Sequence, residues 1–590
     1  MVRKFCGMIC CALLVLISAA QQKQISPFQN KFIDYKELQD PKPVDITSWN
    51  QLPDNVTIAF GDVNTRYQKH VGPNNNELQQ TYNITGWKGE KLHMQVLVAT
   101  KKVLTRVFFK AGELSDGKSH RIEANAVSAG FVRYVLSDGL NKEGHGCGIA
   151  PAAESDSSLS ADGIDFISEK SVPAFTTQPI WISVAVPQKT MAGKYKGNLQ
   201  IIIDGIKHLL KYEVTVSNHV LPTAGNWKFH LDLWQNPYAI ARMFAVKEWS
   251  KEHMDFMRPY MQMLANAGQK AITVSMIHDP WRGQTYDIYN SMIRWIKKKD
   301  GTWVYDYTIF DQWVNYMMSI GIDKLINCYT MVPWNNQFYY YDETVARDTL
   351  LIAKTGTTEY NAHWKPMLKD FAKHLKHKGW FEKTAIAMDE RPLEDMQKVI
   401  QLVRSIDKDF KISLAGTYHA EIANEVYDYC VASADKFDAT VKAKRVAAGL
   451  PTTYYTYCWE GKPNTFTFSP PAESAWLGWY AAAQHYNGYL RWAYNCWPKN
   501  PMQDARFSTW SSGDTYLVYP GGSSIRFEKL IEGIQDYEKI QLLKAIFIKN
   551  NNQQKLKQLE TAVQEFNMEA LEKYGAAAML QKAKTVLNAL

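Results

Sequence analysis

Two adjacent carboxylates, Asp389 and Glu390, are the side chains of this sequence whose position most suggests chemistry. They follow residues 385–388, an uncharged run that indicates the end of a buried strand, and they precede Pro392, which has no backbone N–H to donate to a sheet. In an α/β barrel, the catalytic residues come from the carboxyl ends of the strands. Because Asp-Glu dipeptides are also common in surface loops, the pair predicts a site only if the rest of the chain builds such a barrel.

Glycoside cleavage is the chemistry that this pair suits best. It needs an acid that protonates the leaving oxygen and a group that stabilises the oxocarbenium-like centre, and two carboxylates about 5–10 Å apart usually supply both. Adjacent residues fit that arrangement poorly, because successive side chains of a regular strand face opposite ways. They suit a reaction in which the 2-acetamido oxygen of an N-acetylhexosamine attacks its own anomeric carbon. Asp389 would then stabilise the oxazolinium, and Glu390 would act as general acid and then as general base.

Other functions stay open on the residues alone. One is a two-carboxylate glycosidase in which Glu390 is the acid and Asp428 or Glu460 is the nucleophile. A second is a β-N-acetylglucosaminidase, since the sequence does not decide between gluco and galacto configuration. A third is a non-catalytic protein whose aromatic rim only binds glycans, against which the intact carboxylates at 389 and 390 argue.

Aromatic and polar side chains recur where the other predicted barrel strands end. The chain has 19 Trp and 32 Tyr, whose flat rings serve as core filler or as stacking platforms for sugars. A cleft lined in this way suits a neutral polyhydroxylated ligand, because sugar C–H faces stack on rings while hydroxyls need polar partners. The predicted substrate-binding residues are Trp234, Trp334, His419, Tyr457, Asn464, Trp492 and Asn495.

The barrel itself is predicted from strands that alternate with amphipathic helices, a pattern typical of parallel βαβ units. Before it, the chain is β-rich, with an Asp204-Gly205 hairpin turn, and this indicates a β-sandwich. The predicted fold class is therefore α/β, a (β/α)₈ TIM barrel preceded by an N-terminal β-sandwich and followed by a short helical segment. The eight predicted barrel strands are 228–234, 271–277, 325–329, 385–388, 411–415, 426–431, 452–458 and 489–496.

Length, composition and the N-terminus limit the setting. At 590 residues, 46% apolar and 21% charged, the chain has the composition of a globular protein of several domains. Arg3, Lys4, the apolar run 8–17 and the small residues Ser18 and Ala20 predict a secretory signal, so we expect export to the periplasm or the medium. The predicted division is a signal peptide at 1–20, a β-sandwich at 21–225, a catalytic barrel at 226–550 and a helical extension at 551–590.

Nucleic acid, membrane-spanning and metal-dependent functions are not expected. The net charge of +8 is modest for this length, no dense Lys/Arg stripe occurs, and no later apolar run is long enough to span a bilayer. No HExxH motif is present, and His374 and His377 beside Lys376 indicate a solvated helix face, so we predict neither a metal nor a cofactor. The oligomeric state is not predicted.

The five cysteines beyond the predicted signal are widely spaced and predict no disulfide framework. They are interpreted mostly as small buried hydrophobic residues. Residues 144–148, a glycine-rich segment that contains Cys147, are interpreted as a flexible loop of the β-sandwich.

The chain resembles glycoside hydrolase family 123. The resemblance lies in Met388-Asp389-Glu390-Arg391-Pro392 and in the later segments 488–497, 513–521 and 524–538, which are similar to the region that closes the barrel in that family. It implies a β-sandwich followed by a (β/α)₈ barrel with the Asp-Glu pair at the end of the fourth strand. It also implies a retaining exo-β-N-acetylgalactosaminidase that acts on terminal β-GalNAc of glycans or glycolipid head groups, with Asp389 as the acetamido stabiliser and Glu390 as the acid/base.

Overall fold

The computed structural model describes residues 36–141, 144–148, 156–507 and 509–590. Within them the chain forms two N-terminal sheets, then a parallel eight-stranded barrel sheet, and finally a group of helices. The predicted fold class is confirmed. The predicted signal peptide, residues 1–20, lies outside the described residues, and the domain boundaries at 225 and 550 stay predictions.

The N-terminal sheets pack face to face. One has the order β1-β3-β10-β7-β8 and the other the order β2-β12-β11-β4-β9, with the short β5-β6 pair beside β11. Inward-facing Phe131, Ile180, Leu199 and Val214 belong to one buried apolar core between the sheets. The elements are α1 (Ile46–Asn50), β1 (Val56–Gly61), β2 (Thr81–Lys88), β3 (Lys91–Thr100), β4 (Leu104–Ala111), β5 (Leu114–Ser115), β6 (Arg121–Ile122), β7 (Val127–Ser137), β8 (Ser158–Asp165), β9 (Glu169–Val172), β10 (Thr176–Ala185), β11 (Gly193–Ile203) and β12 (Ile206–Val220).

The turn between β11 and β12 is the one that the sequence predicted. Asp204 and Gly205 both have positive φ, 48° and 88°, as a two-residue type I′ hairpin turn requires. Ile203 pairs directly with Ile206, so the turn sets the register of the whole hairpin.

All eight predicted barrel strands are present within the described residues. They form a parallel sheet in the order β13-β24-β23-β22-β21-β20-β17-β14. A separate four-stranded sheet, β16-β15-β18-β19, contains a hairpin whose turn includes Asp300 and Gly301. The strands are β13 (His230–Leu233), β14 (Ala271–Ser275), β15 (Arg294–Lys297), β16 (Trp303–Asp306), β17 (Leu325–Tyr329), β18 (Gln337–Asp342), β19 (Arg347–Ile352), β20 (Thr384–Met388), β21 (Lys411–Gly416), β22 (Asp428–Ala432), β23 (Thr452–Tyr455), β24 (Gly488–Arg491) and β25 (Gly522–Ser524).

Side chains close the seam between the first two barrel strands, β13 and β14. A single bridge joins Leu231 to Gln269. The Leu233 N–H donates to Gln269 Oε1 at 2.9 Å, and the Thr273 N–H donates to Gln235 Oε1 at 2.9 Å. Amide side chains thus replace ladder bonds at this seam and satisfy buried backbone groups.

Helices cover the barrel, and the last three pack against α8, α9 or one another. Within the described residues, none of the helices is both long and apolar enough to cross a bilayer. The helices are α2 (Pro237–Phe244), α3 (Lys251–Asn266), α4 (Thr308–Ser319), α5 (Thr358–Lys378), α6 (Leu393–Ile406), α7 (Ala439–Ala447), α8 (Pro471–Ala483), α9 (Ile525–Lys549), α10 (Gln553–Gln564), α11 (Met568–Tyr574) and α12 (Ala576–Ala589).

The barrel part of the chain also joins the N-terminal sheets. Strand β25 extends the first sheet by pairing antiparallel with β8. Directly after it, Arg526 is fully buried and its Nε lies 2.9 Å from Oδ2 of the fully buried Asp162, which also pairs with Arg66 at 3.1 Å. A shared sheet and a buried ionic contact therefore connect the two parts of the molecule.

Asp162→Asn is expected to lower the free energy of unfolding by about 3 kcal/mol, because Arg526 would remain as a buried charge without a counterion. The measurement is the midpoint of urea unfolding. The matched control is Asp156→Asn. The Asp156 side chain is 80% exposed and pairs with Lys42 at the surface, so its loss should change the midpoint little. Equal midpoints for the two variants would contradict the prediction.

Candidate active site

A cavity of about 110 Å³ opens at the carboxyl ends of the barrel strands. Asp389 and Glu390 both line it, although successive residues of a strand face opposite ways. They can do so because strand β20 ends at Met388, one residue earlier. The cavity is lined by Trp234, Trp281, Gln284, Trp334, Asp389, Glu390, Ala415, Tyr455, Tyr457, Cys458, Leu490, Trp492, Trp510 and Asp514.

The Asp389 carboxylate is held from two sides and is only 7% exposed. Trp334 donates its indole N–H to Oδ2 at 3.1 Å, and Arg391 Nη2 lies 2.9 Å from Oδ2 and 2.8 Å from Oδ1. The Arg391 guanidinium also stacks 3.9 Å from the centre of the Trp334 ring. Burial raises the pKa of Asp389, and the Arg391 charge and the Trp334 hydrogen bond oppose that rise.

Glu390 differs from its neighbour because its side chain reaches solvent. The Tyr455 hydroxyl, at the end of strand β23, donates a hydrogen bond to Glu390 Oε1. Burial, followed by the Glu390 charge, raises the pKa of Tyr455, so this phenol keeps its proton and stays a donor. The cavity therefore holds one buried, fixed carboxylate beside one that is open to solvent.

Four of the seven predicted substrate-binding residues line the cavity: Trp234, Trp334, Tyr457 and Trp492. Trp234 lies in its interior, where its ring packs 5.3 Å from Trp281 and 4.4 Å from Tyr329. Among the described residues, the indole N–H groups of Trp234 and Trp281 and the Tyr329 hydroxyl have no hydrogen-bond partner. Because Trp234 and Trp281 line the cavity, their indole N–H groups are candidate donors to a ligand.

The other three predicted residues lie outside the cavity lining and bond to other parts of the protein. Asn464 donates to the carbonyls of Tyr457 at 2.8 Å and Glu460 at 2.7 Å, so it braces the loop that carries Tyr457. Asn495 exchanges two hydrogen bonds, of 2.9 and 2.7 Å, with the backbone of Asn236. The backbone N–H of His419 donates to the Tyr429 hydroxyl at 2.7 Å.

Asp514 is a cavity carboxylate that the sequence reasoning did not select. Arg491 Nη2 donates to its Oδ1, and the indole N–H of Trp492 donates to Oδ2 at 3.2 Å. Burial raises the pKa of Asp514, which Arg491 opposes. The only sequence signal was its place in the segment 513–521, because no strand or helix pattern marks this position.

The two carboxylates considered as alternative nucleophiles do not line the cavity. Asp428 is the first residue of β22 and is buried, and Ser413 and Asn327, the third residues of β21 and β17, donate to its Oδ2 at 3.3 and 3.4 Å. Glu460 accepts the Tyr457 N–H at 3.0 Å and the Ser433 hydroxyl. Burial raises the pKa of Glu460 to about 7. Both carboxylates are therefore engaged by groups within the protein and lie outside the cavity lining.

A disulfide joins the N-terminal part of the chain to the cavity wall. Cys147 is bonded to Cys458, so the prediction of no disulfide is wrong for this pair, which is 311 residues apart in sequence. Spacing along the chain could not reveal a contact that only the tertiary fold makes. The other described cysteines, Cys328, Cys430 and Cys496, are buried and free, as interpreted from the sequence.

The segment 144–148 is also not a free loop of the sandwich. The Gly146 N–H donates to the Cys458 carbonyl at 2.6 Å, and the Gly146 carbonyl accepts the Ser511 N–H at 3.1 Å. This segment is therefore inserted between two loops of the barrel rim. As for metal sites, the described ranges contain no group of three or more His, Cys, Asp or Glu side chains arranged to hold an ion.

Comparison with known proteins gives two family matches. The family model of the glycoside hydrolase 123 catalytic domain matches residues 234–543, and that of the glycoside hydrolase 123 N-terminal domain matches residues 60–203. No protein with a curated description matches the chain.

Among solved structures, a family 123 glycoside hydrolase from Clostridium perfringens, described in a study of glycolipid glycan hydrolysis, is similar over the whole fold. It is 24% identical, the match covers 91% of this chain and 97% of that one, and the TM-score is 0.81. A β-glucuronidase from Bacteroides uniformis is 10% identical, with coverage of 82% and 52% and a TM-score of 0.28, too low to support an inference. The first of these likenesses concerns the fold.

Proposed function

This chain belongs to glycoside hydrolase family 123, and we propose that it is a retaining exo-β-N-acetylgalactosaminidase that uses substrate-assisted catalysis. As a glycoside hydrolase it acts on carbohydrate. The observation that carries the finer proposal is the contrast within the adjacent pair: Asp389 is buried and fixed by Trp334 and Arg391, while Glu390 is open to solvent.

The proposed reaction divides the work between these two carboxylates. In the first step, the acetamido oxygen bonds to the anomeric carbon, the glycosidic bond breaks, and Glu390 donates its proton to the leaving oxygen. The fixed charge of Asp389 stabilises the oxazolinium that forms. In the second step, Glu390 takes a proton from water, whose oxygen bonds to the anomeric carbon as the oxazoline ring opens. Two inversions at the same carbon retain the β configuration.

A two-carboxylate mechanism has less support. Besides Asp389 and Glu390, the cavity is lined by one other carboxylate among the described residues, Asp514. Both of its oxygens accept hydrogen bonds, from Arg491 and from Trp492. A carboxylate engaged in this way is a weaker nucleophile than a free one, and it is better suited to holding the cavity wall in place.

Glycolipid head groups are proposed among the substrates, because the similar Clostridium perfringens enzyme was studied for glycolipid glycan hydrolysis. Export is proposed as well. The Cys147–Cys458 disulfide supports it, since disulfides persist in oxidising compartments outside the cytosol.

The test is a pair of aryl substrates, β-GalNAc and β-GlcNAc, given to the purified chain. The proposal expects faster hydrolysis of the β-GalNAc compound, with the β anomer as the first product seen by NMR. Faster β-GlcNAc hydrolysis would reassign the sugar, and an α product would exclude a retaining mechanism.

The acid limb of the pH profile is expected to depend on Arg391. The proposed role of Asp389 requires its ionised form, so kcat/KM falls as the pH drops through the pKa of Asp389. Because the Arg391 charge opposes the burial that raises this pKa, Arg391→Met should move the acid limb to higher pH. Arg391→Lys keeps the charge and should move it less. If both variants keep the wild-type acid limb, the acid limb does not follow the ionisation of Asp389.

A further inference from the structure

An exposed tryptophan, Trp459, lies in the loop after strand β23, directly after two residues that line the cavity. Its side chain is 58% exposed, an unusual position for so large an aromatic residue. It follows Tyr457 and Cys458, both of which line the cavity. The structure therefore presents an exposed aromatic ring beside the cavity lining that the reaction described above does not use.

Trp459 is held in place from below. Its ring stacks on that of His145, with ring centres 4.3 Å apart and planes 17° apart. His145 is buried and belongs to the segment 144–148, which is fixed to the rim by the Cys147–Cys458 disulfide. A fixed ring loses little conformational entropy when a ligand packs on it, so it is suited to binding.

The cavity is too small to enclose more than one sugar of a glycan, so the second sugar must lie outside it. A volume of about 110 Å³ is small beside the roughly 300–1,000 Å³ of typical ligand pockets, so it suits a single terminal sugar. The rest of a glycan must then leave from the oxygen that Glu390 protonates. Glu390 bonds to Tyr455, whose ring lies 5.8 Å from that of Tyr457, and Trp459 is two residues further along the chain.

We propose that Trp459, supported by His145 from the N-terminal part of the chain, binds the second sugar of the substrate by stacking on its C–H face. This inference rests on the proposed function and narrows its substrate class to glycans with a pyranose in the second position. It also gives the N-terminal part a role in substrate binding.

The experiment compares two substrates that share the terminal sugar. One is a β-GalNAc-hexose disaccharide, and the other is β-GalNAc fluoride, which has no second sugar. Trp459→Ala is expected to lower kcat/KM for the disaccharide by about 3- to 10-fold and to leave that for the fluoride unchanged. Trp459→Tyr, which restores a stacking ring, should recover most of the loss. The matched control is Tyr574→Ala, which removes a 59% exposed aromatic side chain on α11.

A third substrate separates the sugar from a lipid carrier: the same disaccharide attached to a lipid in detergent micelles should show the same loss. A loss confined to the lipid-linked substrate would overturn the inference, as would equal losses on fluoride and disaccharide or no loss on either. Wild-type protein that hydrolyses neither compound would overturn the proposed function, and this inference with it.

Discussion

Glu390→Gln is expected to lower kcat for an aryl β-GalNAc substrate by about 10²- to 10⁴-fold, the range for loss of a general acid/base. Glutamine keeps the size of the side chain and can still accept a hydrogen bond from Tyr455, but it cannot donate or remove a proton. The structure supports this substitution as a clean test, because Glu390 is solvent-exposed and its replacement leaves no buried charge unpaired.

The dependence on the leaving group makes the test specific. Formation of the oxazolinium needs the acid least when the leaving group is already a stable anion. Glu390→Gln should therefore lower the rate of this first step less for a dinitrophenyl glycoside than for a phenyl glycoside. The control is Glu421→Gln, an exposed glutamate that does not line the cavity and should keep wild-type rates. A loss that is the same for both leaving groups would exclude Glu390 as the acid of the first step.

Asp389→Asn is expected to lower kcat/KM for N-acetylated substrates by about 10²- to 10³-fold. This is the usual effect of removing a group that stabilises the charge developing in the transition state. A neutral amide cannot stabilise the cationic oxazolinium. GalNAc-thiazoline, a stable mimic of the oxazoline, should inhibit the wild-type protein, and it should bind Asp389→Asn more weakly.

Two control measurements test whether the loss in Asp389→Asn comes from the missing charge. Asp389→Asn leaves the partly buried Arg391 without its counterion, so the thermal unfolding of the variant must be compared with that of the wild type. Glu390→Gln should still bind the thiazoline, because the acetamido group contacts the other carboxylate. Failure of the thiazoline to inhibit the wild-type protein would rule out substrate assistance.

The fold class and the position of the Asp-Glu pair could be predicted because both depend on local patterns. Buried strands such as β20 are continuous apolar runs, and a polar pair followed by Pro392 marks the point where such a run ends. Eight such runs that alternate with helices specify a parallel barrel, and the parallel arrangement brings all their carboxyl ends to one rim. Knowing where strands end was therefore sufficient to place Trp234, Trp334, Tyr457 and Trp492 at the cavity.

The same reasoning could not distinguish a rim residue that faces the cavity from one that faces its own loop. Asn464 and Asn495 are polar residues at the rim, as predicted, yet their amides bond to the backbone and support the wall. Asp428 also belongs to a barrel strand, but it is the first residue of that strand and not one that follows its carboxyl end. Its side chain contacts Asn327 and Ser413. A shift of a few residues along a strand therefore separates a carboxylate that lines the cavity from one that is buried among other strands.

Strand periodicity and strand termination are properties of neighbouring residues, so the amino-acid sequence was enough to predict a barrel with two adjacent carboxylates at a strand end. Tertiary packing, in contrast, buries Asp389 against Trp334 and Arg391 and leaves Glu390 open to solvent. It also decided that Asp514 and the Cys147–Cys458 disulfide complete the wall. Apart from the neighbouring Asp389–Arg391 pair, these contacts join residues that are tens to hundreds of positions apart, and only the folded chain brings them together.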